Sequence, residues 1–142
     1  MANSAITIGV ALGAAQSDQE TGTSTTTVVT PGTQQYHPSA AKAWVVFTGV
    51  TTTTNQASYN VSSLTDNGTG DTTVNFTTSF SSSNYACVFG APSFTTGNAT
   101  ELNLMIRSGG KATGSVRCFS ASTTSGTVLD NPDQCMACFG DQ

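Results

Sequence analysis

Charge is what this sequence has least of. Only 8% of its 142 residues are Asp, Glu, Lys or Arg, against roughly 25% in an ordinary soluble domain. Four Lys and Arg stand against eight Asp and Glu, a formal net charge of -4. Four scattered cations cannot neutralise a run of phosphates, so nucleic acid and anionic membrane surfaces are poor partners. No apolar run approaches the ~20 residues of a spanning helix, so membrane insertion is not expected. The mildly apolar stretch 6–15 lacks the basic flank of a signal peptide, because the first Lys or Arg is Lys42, and it is not read as one. The single His37 lies beside Pro38 with no nucleophile elbow nearby, which argues against a Ser-His-Asp arrangement.

Ser and Thr stand in place of charge, and the clearest unit among them is residues 57–78. Tyr59, Val61 and Ser63 recur at period two, as do Thr72, Val74, Phe76 and Thr78. Between them Asp66-Asn67-Gly68-Thr69-Gly70-Asp71 collects residues that tolerate positive φ or cap a turn, so the stretch predicts a hairpin. With Thr65 opposite Thr72, Val61 faces Phe76 and Ser63 faces Val74. One face is then apolar and the other is Ser, Asn and Thr, which calls for a second sheet or a partner.

The remaining strands follow the same alternation. Residues 43–50 (AWVVFTGV) are apolar on both faces, which predicts a strand buried on both sides or set against another subunit. Residues 85–90 form a strand ended by Pro92. Leu102, Leu104 and Ile106 alternate with Asn103, Met105 and Arg107. Ser108-Gly109-Gly110 then reads as a turn into a strand over 113–120, where Val116 and Cys118 oppose Arg117 and Phe119. Asn131-Pro132-Asp133 turns into a last strand over 134–139. About seven strands with almost no helix predict an antiparallel sandwich over 36–142. Residues 1–35 read as an arm: a marginal short helix over 14–20, a β-prone run over 25–30 halted by Pro31-Gly32, and a helical turn after Pro38 as the boundary.

The residues offer little catalytic chemistry. Cys135 and Cys138 form a CxxC, but in a strand residues three apart point to opposite faces, about 10 Å apart at Cα, too far to join each other. Packed reduced thiols are the expected state, a disulfide to Cys87 or Cys118 is the alternative, and a metal site comes last. Asp66, Asp71, Asp130 and Asp133 sit where turn chemistry accounts for them, Glu101 starts a strand and Asp141 is terminal, so no facing carboxylate pair is evident. Gly68, Gly70, Gly109 and Gly110 precede no helix and cradle no phosphate. Trp44, Tyr36, Tyr59 and Tyr85 are expected in the core or an interface rather than stacked on sugars. The triplets at Asn60, Asn67, Asn75 and Asn98 match a glycosylation pattern, and a chain this rich in Ser and Thr produces them by composition.

The phrases QSDQETGTSTTTVVTPG, QQYHPSAAKAW, ASYNVSSLTDNGTGDTTVNFTTSFSSSNYACV and the terminal ACFGDQ together resemble small β-rich modules of tailed-bacteriophage tail fibres and related virion proteins, over residues 16–142. Thr33 stands where similar sequences often carry Arg, and two Cys in the last strand are unusual among them. The resemblance implies a homotrimeric, jelly-roll-like antiparallel β-sandwich with an extended N-terminal arm. It implies a virion protein, assembled in the host bacterial cytoplasm, acting as a tail-fibre or receptor-binding module. The alternative is a capsid decoration or head-fibre protein, and a polysaccharide depolymerase fragment is remote. The implied partners are further copies of the chain, other virion proteins through the arm, and a host-surface glycan or protein. The chain is read as no enzyme, without catalytic, cofactor-binding or metal residues. Receptor contacts are left to the loops over 66–71, 92–99 and 120–132.

Overall fold

The structure, a computed structural model, describes residues 12–91 and 102–142. The chain divides into two compact units, Met1–Ala40 and Ala41–Gln142.

In the first unit, helix α1 spans Gln16–Thr21, close to the expected span. The Asp18 carboxylate accepts the Ala15 N–H at 2.9 Å, placing an anion where the helix dipole favours one. Gly22, at φ +63°, ends the helix, and its N–H returns to the Asp18 carbonyl. The buried Gln19 donates to the Thr33 carbonyl at 2.6 Å. The β-prone run forms a single parallel bridge, Gly13 to Val28, and Val28 and Val29 remain exposed. A helical turn occurs over Gln34–Tyr36, before Pro38, and a single turn follows it, with the Ala40 N–H donating to the His37 carbonyl at 2.9 Å. The ring of Pro38 holds His37 extended at ψ 132°, which stops the turn there.

The regular structure of the second unit is all strand among the described residues: β1 Ala43–Thr48, β2 Thr54–Tyr59, β3 Val61–Asp66, β4 Asp71–Phe76, β5 Ala86–Gly90, β6 Leu102–Ala112, β7 Ser115–Ser122 and β8 Gln134–Phe139. They form two antiparallel four-stranded sheets, ordered β2-β1-β8-β5 and β3-β4-β7-β6. Both sheets feed one core: Ala43, Val45 and Phe47 from β1 and Met136 and Cys138 from β8 join Val74, Phe76, Leu104, Val116 and Cys118 from the other sheet. The arrangement is therefore sandwich-like. Hairpins β1–β2, β3–β4 and β6–β7 each stay within one sheet, so the order lends no support to a jelly-roll-like winding.

Period two governs burial as expected, but three local readings change. The run 57–66 is not one strand. Asn60, at φ +55°, breaks it, so Tyr59 ends β2 in one sheet and Val61 begins β3 in the other. The Asn60 side chain holds this corner, accepting the Thr78 N–H at 2.7 Å and donating to the Lys42 carbonyl at 2.9 Å. The hairpin register also differs. Asp66 opposes Thr72 and Thr65 opposes Thr73, so Leu64 faces Val74, and a bulge between Val61 and Ser63 restores Val61 opposite Phe76. Finally, Ser108-Gly109-Gly110 is not the β6–β7 turn. Ile106 pairs with Cys118 and Lys111 with Val116, so these residues form a bulge inside β6, and the chain reverses after Ala112. Gly110 is required there, because a Cβ would lie 2.6 Å from the Arg117 carbonyl and 2.8 Å from the Arg107 carbonyl.

Strand β1 is not buried on both sides by the described residues, the first of the two arrangements expected for it. Ala43, Val45 and Phe47 are buried, whereas Trp44 stays 38% exposed and Val46 is only partly covered. The strand is buried on one face within the described residues.

Candidate functional site

Two of the three loops expected to be exposed meet at one end of the second unit. In the 66–71 turn the Asp66 carboxylate accepts the Gly68 N–H at 2.9 Å, and the Asp71 N–H reaches the Gly68 carbonyl at 2.9 Å. Gly70 lies against the other loop: its N–H donates to Asp130 at 2.6 Å, and its carbonyl accepts the Ser120 N–H at 2.7 Å. A Cβ on Gly70 would come 2.5 Å from the Leu129 carbonyl, and its φ is +63°. Glycine is needed there on both counts. The Gly49 N–H donates to the Asn131 carbonyl at 2.8 Å, which brings the β1–β2 connection to the same end. The 92–99 loop lies outside the described residues. The two loops that can be compared are thus one braced surface.

Asp71 anchors that surface from below. It is only 4% exposed, and two half-exposed arginines converge on it. Arg117 donates through Nε to Oδ1 at 2.8 Å and through Nη2 to Oδ2 at 3.1 Å, while Arg107 Nε reaches Oδ2 at 2.6 Å. Burial alone would raise the Asp71 carboxyl. The hydrogen bonds from Arg117 and Arg107, with their charges, outweigh burial and hold the group below its ordinary value. The Arg107 guanidinium also lies 4.8 Å from the centre of the Phe119 ring. Sequence reasoning placed Asp71 in a turn and missed its partners. The signal was present in the alternation of β7, which turns Arg117 outward beside a β4 residue.

The cysteines depart from the expected reduced state. Cys87 and Cys138 sit opposite each other on β5 and β8 and form a disulfide with Cα atoms 4.2 Å apart. Cys118 is a buried thiol and Cys135 an exposed one. The CxxC cysteines do not join each other, since Cys138 faces the core and Cys135 the outside. Burial, aided by the nearby Asp71 charge, pushes the Cys118 thiol up to about 12, so it is inert at neutral pH. Among the described residues no group of three or more His, Cys, Asp or Glu side chains is placed to hold a metal.

The aromatic residues divide. Phe76, Phe80 and Tyr85 pack together in the core, with Phe80 and Tyr85 stacked at 4.2 Å between centroids. The Tyr85 hydroxyl lies 2.8 Å from the Ser115 carbonyl, and burial raises its pKa to about 12. Trp44 and Tyr59, by contrast, are cross-strand neighbours that both remain exposed, so neither lies in the core, the first of the two places expected for them.

In the first unit, His37 Nδ1 lies 2.6 Å from the Ser39 hydroxyl and also accepts the Ser39 N–H at 3.2 Å. A ring nitrogen engaged by its own neighbour's backbone is capping a turn.

No family model matches the chain, and no curated protein or solved structure matches it.

Proposed function

We propose that this chain is a structural, non-enzymatic protein of a tailed-phage virion. Its leading role in this reading is as a tail-fibre or receptor-binding module displayed as a homotrimer. The observation that carries the reading is the braced loop end, where the 66–71 and 120–132 loops share hydrogen bonds through Gly70 on a unit with very little charge. A braced polar surface, on which the exposed carboxylates of Asp66 and Asp130 are already engaged by backbone N–H groups, suits contact with a host-surface glycan or protein, and three copies would raise weak single contacts to useful avidity. The engagement of Asp66, Asp71 and Asp130 in hydrogen bonds within the fold favours binding over hydrolysis. In this reading the first unit is the attachment arm.

A capsid decoration or head-fibre role is the second reading. It draws on the division into two units, since a shell protein needs one part to grip and another to project. Immunogold labelling of intact particles separates the two: label at the tail tip supports the first, and label confined to the capsid sinks it. Purified protein is expected to slow adsorption to host cells, with substitutions at Asn67 or Thr69 in the exposed turn weakening the effect. Adsorption that proceeds unchanged would remove receptor binding from the reading.

A further inference from the structure

The outer face of the β2-β1-β8-β5 sheet has no account so far. Pairing puts three outward positions on each of its four strands, and none carries a charge. The centre is apolar: Trp44, Val46, Cys135 and Ala137 on β1 and β8, flanked by Tyr59 on β2 and Val88 on β5. Trp44, Tyr59 and Val88 are 38%, 47% and 58% exposed. We propose that this face is the contact through which copies of this chain associate. The proposal deepens the self-association in the proposed function, and the face lies wholly in the second unit.

Three observations select a second copy as the occupant. The first is charge. The chain is acidic overall, at -4, whereas this sheet face brings no charge to oppose a second copy. A basic partner would find nothing on it to recognise, and a sugar would find few hydrogen-bonding groups. The second is area. Trp44, Tyr59 and Val88, exposed to this degree, leave roughly 300 Å² of apolar side chain open per copy, the size of patch that marks an interaction site. Two such centres bury about 600 Å², and the outward residues around them complete the ~1,200 Å² of a specific interface.

The third is shape. A shallow cavity of about 300 Å³ opens on the face, lined by Trp44, Val46, Val88, Gly90, Cys135 and Ala137. Gly90 and Ala137 supply little bulk, and a Cβ on Gly90 would come 2.7 Å from the Cys135 sulfur. The hollow lies towards β8 and β5, and the protruding Tyr59 lies on the opposite edge strand, β2. A face with a knob at one side and a hole at the other complements itself, so Tyr59 of one copy enters the hollow of the next.

Cys135 provides a built-in reporter, because it is the exposed free thiol at the hollow while Cys118 is buried. The experiment compares the full wild-type chain, its disulfide intact, with Val88→Arg, Tyr59→Ala and the control Ser63→Arg on the other sheet. Sedimentation gives the oligomeric state, and the rate of maleimide labelling gives the exposure of Cys135. The expected result is an associated wild type and control, with Val88→Arg and Tyr59→Ala shifted to monomer and labelling about tenfold faster or more. Labelling of Cys118 as well would mark an unfolded variant, in which case Tyr59→Ala, a truncation at an exposed position, carries the test. A monomeric wild type overturns both this proposal and the trimer. An associated wild type that both variants leave intact, with Cys135 labelling unchanged, overturns the face alone and leaves the trimer standing.

Discussion

The two sheets of the second unit present opposite solutions on their outer faces. The β3-β4-β7-β6 face satisfies itself. Asn75 donates to Ser63 and Thr65, both at 3.1 Å, and Asn67 donates to Thr73 at 2.9 Å. Asp71 is clamped by two arginines on the same face. The β2-β1-β8-β5 face offers Trp44, Val46, Tyr59 and Val88 with little polar chemistry among them. Both faces back onto the same core, so burial does not distinguish them. The difference lies in what the outward alternate residues are, and it teaches that one face pairs its polar groups within the chain while the other leaves apolar side chains exposed.

That contrast can be broken or sharpened at several points. The largest effect is expected on the inner side of the apolar sheet. Replacing Cys138 by Ala removes a disulfide spanning 51 residues, and chemical denaturation should show a loss of about 2–4 kcal/mol. Hydrogen exchange should then loosen β5 amides before those of β4. At the corner between the sheets, Asn60→Ala forfeits side-chain hydrogen bonds and keeps a positive φ, for a loss of about 2–3 kcal/mol. Asn60→Gly should recover the backbone part, which a urea titration of the pair resolves.

On the polar face, Asp71→Asn is expected to cost about 1–2 kcal/mol, less than a fully buried pair because both arginines are half exposed. The sign of its pH dependence follows. The folded carboxyl lies below the ordinary 3.8, so its contribution is complete above about pH 4–5 and disappears as pH falls through the lower folded value. Melting of the wild type should drop more steeply below pH 4 than melting of Asp71→Asn. At the alkaline end Tyr85 and Cys118, both raised to about 12, stabilise fully below their unfolded values near 10 and 8.5, and this is lost as pH climbs towards 12. The smallest effect is expected from Asn75→Ala, about 0.5–1 kcal/mol in the same titration, because its partners remain solvated.

Much of this architecture was legible in the sequence, for a physical reason. Alternation fixes which side of a strand is buried, so the inward set Leu104, Val116 and Cys118 and the outward Arg117 could be read from spacing alone. The strand of 43–48 was legible as a strand but not as half exposed, because an apolar residue such as Trp44 carries no mark of whether a partner covers it. Asn60 and the Gly109-Gly110 bulge were missed because a corner or bulge residue looks like any other turn former until its pairing is known. The braced loop end was beyond reach for a different reason. Gly70 and Asp130 are 60 residues apart, and no local pattern announces a contact between two turns.

One feature of the topology bears on how the protein is made. Strand β8 is the last of the eight to be synthesised, yet it lies inside its sheet, between β1 and β5. At about 5–20 residues per second, the ribosome needs on the order of 5–20 s to pass from β1 to β8. During that interval β1 lacks one neighbour, Cys87 lacks its bonding partner and the core stands open along one side. A chain interrupted before residue 134 would leave the sheet split down its middle. Formation of this sheet, its disulfide included, therefore waits on the last-made of its four strands.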